Sequence, residues 1–191
     1  MQHTIHTRAW RLVDIATASV IGVTAGIVFW LWGLGWNAIS TPVDALLPGA
    51  GALFAGVWLF AGVLGGYIIR KPGAALLTEV IAAAISAFIG SQWGITALWS
   101  GLIQGLGAEL VFAIFAYRIY RSWVAVLAGA ASGLAMGIND LVLWYPGAST
   151  LFVVVYMIAG VLGGAVIAGL GSWWVARGLA ASGALRRFST N

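Results

Sequence analysis

Apolar runs of about 20 residues recur along the whole chain, each long enough, at about 1.5 Å per residue, to cross a hydrocarbon layer roughly 30 Å thick. They extend approximately from Leu12 to Trp36, Gly49 to Ile69, Gly73 to Gly90, Gly94 to Tyr117, Trp123 to Trp144 and Ser149 to Ala176. Short, punctuated connections separate them. Hydrophobic residues make up 62% of the 191 positions and charged residues only 7%, far from the soluble balance. The expected fold is all-α: a polytopic membrane protein with six transmembrane helices in a single bundle. No linker long enough to divide it appears, so residues 1–191 form one domain.

Six spans place every basic residue on one side. Arg8, Arg11, Arg70, Lys71, Arg118, Arg121, Arg177, Arg186 and Arg187 are all nine Lys and Arg present. By the positive-inside rule that side is cytoplasmic, with both termini inside and the protein in the cell membrane. The loops Asn37 to Pro48, Ser91 to Trp93 and Tyr145 to Ala148 then face out. A net charge of +4 and a pI near 10.0 do not indicate nucleic-acid binding, because the charges form juxtamembrane clusters that meet lipid rather than a basic face on a soluble domain. The first span continues through Trp30, Trp32 and Trp36 into an expected aromatic belt, too long for a cleaved signal, and is read as retained. There are no cysteines, and the only histidines, His3 and His6, precede the first span. No metal site or cofactor is expected.

Small residues recur at helical spacing. Ala18, Gly22 and Gly26 form one stripe on span one, and Gly129, Gly133 and Gly137 another on span five. Internal packing is the better reading for span five; for span one, docking to a separate membrane subunit competes with it. "AGVLGG" occurs at Ala61 to Gly66 and again at Ala159 to Gly164, which is read as shared packing chemistry rather than duplication.

Acids inside the membrane carry the chemistry. Asp14 lies near the cytoplasmic end beside Arg11 and is read as structural. Glu79 and Glu109, by helical rise from Pro72 and Arg118, fall near mid-bilayer with no basic residue within four positions. Glu79 shares a face with Ala82, Ala83 and Ser86. Glu109 sits with Gly101, Gly105 and Ala108, flanked by Gln104, and Asn139 and Asp140 cluster with Met136 toward the outer end of span five. Burying a carboxylate without compensation is costly. Either a protonated, hydrogen-bonded carboxyl pair fixes the bundle, or the acids await a cationic or strongly donating ligand; intramembrane acids facing a bundle interior favour the second.

Trp30, Trp32, Trp123, Trp173 and Trp174 lie at span ends and are expected at the interface. Trp58 and Trp99 lie deeper, as do Phe112 and Tyr156, where they suit a flat ring or a cation. Acids and aromatic walls together suit a cationic aromatic solute.

"YIIRKPGAALLTEVIAAA" at Tyr67 to Ala84 and "GLIQGLGAELVFAIF" at Gly101 to Phe115 resemble the two most distinctive segments of the YkoE family. These are substrate-capturing S components of energy-coupling factor (ECF) transporters associated with thiamine or its hydroxymethylpyrimidine moiety. The resemblance implies a six-helix subunit, not an enzyme, that takes its vitamin from outside. It also implies a transmembrane coupling subunit and two cytoplasmic ATPases as partners. No G-x-x-x-x-G-K-[ST] occurs, and the sole lysine, Lys71, precedes a proline, so the chain has no P-loop of its own. Candidate substrate-binding residues are Glu79, Gln104, Glu109, Asn139, Asp140, Trp58, Trp99 and Tyr156, with Ala18, Gly22 and Gly26 for docking and the segment holding Thr41, Pro42 and Asp44 as a lid. Two other classes stay open: a membrane assembly subunit whose acids only fix helix pairing, and a freestanding ion-coupled transporter. A hydrolase is disfavoured, since no histidine or lysine base lies near a buried serine.

Overall fold

The computed structural model describes residues 9–185. His3, His6, Arg8, Arg186 and Arg187 therefore lie outside the described residues. The described residues form helices joined by short turns: α1 (Leu12–Leu46), a 3₁₀ segment (Ala50–Leu59) running into α2 (Phe60–Ile69), α3 (Ala74–Ile89), α4 (Thr96–Ile114), α5 (Ser122–Leu143), then α6 (Thr150–Gly163), a π-helical segment (Gly164–Leu170) and α7 (Gly171–Ala181). Among the described residues five continuous rods are long and apolar enough to cross a membrane: Leu12–Leu46, Ala50–Ile69, Thr96–Ile114, Ser122–Leu143 and Thr150–Ala181. The rod α3 is shorter, with 16 residues and a length of about 24 Å. This is a multi-pass membrane bundle.

Helix α1 overruns its expected end. The segment from Asn37 to Leu46 is helical with Pro42 inside it, so the anticipated outer loop contracts to a tight turn around Leu47 to Gly49. Asp44 holds that turn, its Oδ1 accepting from the Gly49 amide at 3.1 Å and the Gly51 amide at 2.8 Å. Thr41, Pro42 and Asp44 thus belong to the end of helix α1, which corrects their reading as a lid loop.

Glycines let the rods approach closely, the means by which helices associate where lipid removes the hydrophobic drive. A Cβ built on Gly22 would lie 2.6 Å from Ile81 Cγ2, and one on Gly26 would lie 2.6 Å from the Ala82 carbonyl. Ala18 on the same stripe is fully buried. The α1 stripe is therefore covered by α3 of the same chain, which corrects its assignment as a docking surface. Gly129 and Gly133 of α5 press on the carbonyls of Gly164 and Gly160, and Gly137 meets Met157, as internal packing requires. Both copies of "AGVLGG" lie at such contacts: Gly62, Gly65 and Gly66 face Glu79, Thr78 and Phe112, while Gly163 faces the Leu53 carbonyl.

The described basic residues gather at one end. Lys71 Nζ reaches Asp14 Oδ2 at 2.6 Å, and Arg11 reaches Asp14 Oδ1 at 3.1 Å. Asp14 is fully buried, so these two cations compensate a charge that water does not reach. Trp10 Nε1 donates to the Pro72 carbonyl at 3.0 Å and fastens the chain entering α1 to the turn before α3.

Candidate ligand cavity and its carboxyl groups

A cavity of about 230 Å³ lies among the helices, away from the basic end. Phe29 and Trp36 reach it from α1, and Ala55 and Trp58 from the 3₁₀ segment. Three residues per turn set Ala52, Ala55 and Trp58 in one line along that segment, so its tight winding aims Ala55 and Trp58 at the same space. Glu79, Ala83 and Ser86 line it from α3, followed by Ser91 and Trp93 in the next turn. Helix α4 adds Ala97, Ser100 and Gln104; α5 adds Met136 and Asp140, continuing into Trp144 and Tyr145; α6 adds Tyr156.

Glu79 is 1% exposed. Its Oε2 accepts from the Gly62 amide at 2.5 Å, possible because α2 carries no side chain there to hold α3 away. Its Oε1 is buried without a partner among the described residues. No other side-chain carboxylate among the described residues is in this condition. Asp14 has its cations and Asp44 its amides, while Asp140 accepts from Tyr156 Oη at 2.8 Å on one oxygen and from Asn139 Nδ2 at 3.1 Å on the other. Gln104 is 7% exposed, and its side-chain amide makes no hydrogen bond among the described residues. A cavity lined by an acceptor and an amide with unused capacity can accept from and donate to a ligand at once.

The walls are aromatic. Trp58 stands between Trp36 and Trp93, with ring centroids 4.8 Å away on each side, and is fixed by donating Nε1–H to the Phe29 carbonyl at 3.1 Å. Tyr145, Phe152 and Tyr156 form a second cluster with centroids 4.9 to 5.4 Å apart. Partial burial pushes the pKa of the Tyr145 phenol above its ordinary value, and the charges of Asp140 and Asp44 push it further up.

Five of the expected residues therefore line one cavity: Glu79, Gln104, Asp140, Trp58 and Tyr156. Asn139 stands behind them, donating to Ser100 Oγ at 3.2 Å and to Asp140. Trp99 is 53% exposed on the outside of α4 and does not line the cavity. Glu109 is directed to the start of α3. Its Oε1 accepts from the Gly73 amide at 2.6 Å and Tyr117 Oη at 2.8 Å, and its Oε2 from the Ala75 and Leu76 amides at 2.9 and 3.2 Å. A helix shorter than the hydrocarbon layer begins where water is scarce, and its first amides require an acceptor there. Glu109 supplies it, so the expectation that it faces the ligand is corrected. Trp36, Trp93 and Tyr145 were not expected at the site. Their signal was position at the expected outer connections: Trp36 borders Asn37 to Pro48, Trp93 closes Ser91 to Trp93, and Tyr145 opens Tyr145 to Ala148.

The family model described as "ABC-type cobalt transport system, permease component" matches residues 13–135. The chain is 34% identical over 179 residues to the putative HMP/thiamine permease protein YkoE of Bacillus subtilis (strain 168), covering 93% of this chain and 88% of that protein. A crystal structure of an S component of an ECF transporter superposes with a TM-score of 0.86 at 33% identity, over 93% of this chain and 89% of that one.

Proposed function

The chain belongs to the YkoE family of S components of ECF transporters, transport subunits rather than enzymes, and we propose that its cavity captures thiamine or the hydroxymethylpyrimidine moiety. The observation that carries this reading is the buried, unpartnered Oε1 of Glu79 in a cavity walled by tryptophan and tyrosine. An aminopyrimidine edge presents an amino donor beside a ring-nitrogen acceptor, which Glu79 and Gln104 complement. A thiazolium cation finds indole and phenol faces in Trp58, Trp93 and Tyr145. At about 230 Å³ the cavity lies below the roughly 300–1,000 Å³ of drug-sized sites and suits a small ring compound. The description of the matching family model names cobalt. The aromatic lining of the cavity favours an organic ring instead.

The positive-inside pattern supports an orientation with both termini in the cytoplasm and the cavity toward the outer leaflet. Capture from outside then requires a coupling subunit and two ATPases for release inward, because binding to one state supplies affinity but no cycle. The test is accumulation of labelled thiamine in liposomes. The chain alone binds ligand but accumulates none, with or without a proton or sodium gradient, and the coupling subunit, ATPases and ATP restore uptake. Gradient-driven accumulation by the chain alone would overturn this assignment and favour ion coupling through the carboxyls.

A further inference from the structure

At the opposite end from the cavity, Arg70, Arg118 and Arg121 line one open groove with Ile119, Tyr120 and Trp123. Arg70 is held in place. It ends α2 in the left-handed region at φ 59°, its Nε donates to the Tyr67 carbonyl at 3.3 Å, and its guanidinium lies 4.9 Å from the Tyr120 ring centroid. Phe112 stacks on the Tyr120 ring at 5.7 Å, and Tyr67 Oη donates to the Tyr120 carbonyl at 2.7 Å. The terminal nitrogens of Arg70 make no hydrogen bond, and Arg118 and Arg121 make no ion pair, among the described residues. The nearby acid, Glu109, already accepts from three amides and Tyr117. Three arginines thus line one groove, and none of them forms an ion pair among the described residues.

We propose that this groove binds the phosphodiester headgroup of an anionic phospholipid. Arginine forks match phosphate oxygens in geometry as well as charge. The groove joins the ends of three membrane helices, where a lipid phosphate resides, and exposed Trp123 and Ile119 add apolar wall beside the arginines. A bound lipid would tie the α2–α3 turn to the α4–α5 turn.

The test uses the purified full chain in zwitterionic detergent, titrated with phosphatidylglycerol or phosphatidylcholine of matched acyl chains and followed by native mass spectrometry. Phosphatidylglycerol binds at least tenfold more tightly. Arg118→Gln with Arg121→Gln weakens it by roughly 25-fold, about 5-fold per arginine, while phosphatidylcholine is unaffected. Arg118→Gln alone, a change at an exposed and unpaired side chain, gives about 5-fold and serves if the double variant is poorly folded. Arg177→Gln, which removes the same charge from the same end of the bundle but outside the groove, costs less affinity than Arg118→Gln. Equal affinity for the two lipids, an unchanged Arg118→Gln variant, or an equal loss in Arg177→Gln would overturn the proposal. So would full displacement by millimolar inorganic phosphate, which would identify a site for a soluble phosphate instead.

Discussion

Glu109 Oε1 lies 2.6 Å from the backbone nitrogen of Gly73, the residue from which α3 begins. With that contact the start of α3 is fully satisfied. Ala75 and Leu76 donate to Glu109 Oε2, Ala74 to the Lys71 carbonyl at 3.1 Å, and Leu77 to the Gly73 carbonyl at 2.9 Å. The two intramembrane glutamates therefore have different employments: Glu109 terminates a helix, and Glu79 keeps one oxygen for the cavity.

Glu109→Gln should destabilise the fold by about 1–2 kcal/mol, the scale of a lost charged cap. That corresponds to roughly 2–8 °C in Tm for a chain of this size. Thiamine affinity should stay within twofold of wild type. Unchanged Tm with weakened binding would return Glu109 to the ligand site.

Gly26→Leu should remove folded protein rather than partner docking, because its side chain would enter the Ala82 carbonyl. Overpacking against a backbone atom costs about 1–3 kcal/mol or more. Size-exclusion profiles and Tm report it. A stable, ligand-binding variant that fails only to co-purify with partner subunits would restore docking on this stripe.

These first two cases show which parts of the chain were legible as sequence. The six apolar runs and the positions of their breaks follow from helical rise and bilayer thickness, which a sequence records directly. The ending of α1 was hidden because Pro42 and Asp44 carry turn chemistry, yet here they sit inside and at the end of a helix that the Gly49 and Gly51 amides fasten. Glu79 was legible as an isolated acid on a small-residue face. Glu109 looked equivalent because rise along a helix gives backbone depth, whereas its partners belong to a neighbouring helix whose short length sequence alone does not place. Trp36 resembled a belt tryptophan and Trp93 the end of an outer loop; only the packing of α1, the 3₁₀ segment and the α3–α4 turn makes them a wall around Trp58.

Trp93→Ala should weaken ligand binding about 2- to 12-fold, the worth of one aromatic contact. Trp58 keeps its hydrogen bond to Phe29, so the fold is retained. Fluorescence titration gives the affinity. Wild-type affinity would remove Trp93 from the ligand's surroundings.

Lys71→Met should destabilise by about 1–3 kcal/mol, less than loss of the sole partner of a buried charge, since Arg11 still meets Asp14. Arg11→Met should cost less, because the Arg11 side chain is 36% exposed against 11% for Lys71. Thermal unfolding of the two variants side by side checks the order. The reverse order would make Arg11 the principal counter-charge.

Calorimetric titration of the purified chain with thiamine and with hydroxymethylpyrimidine, for wild type and Glu79→Gln, tests the cavity most directly. Wild type should bind one of the two compounds at one molecule per chain. Glu79→Gln should lose about 1.5–3 kcal/mol, or roughly 10- to 150-fold in affinity, with Tm within a few degrees of wild type. A Glu79→Gln variant that binds as wild type does, or a wild-type chain that binds neither compound, would contradict the assignment of the cavity as the capture site.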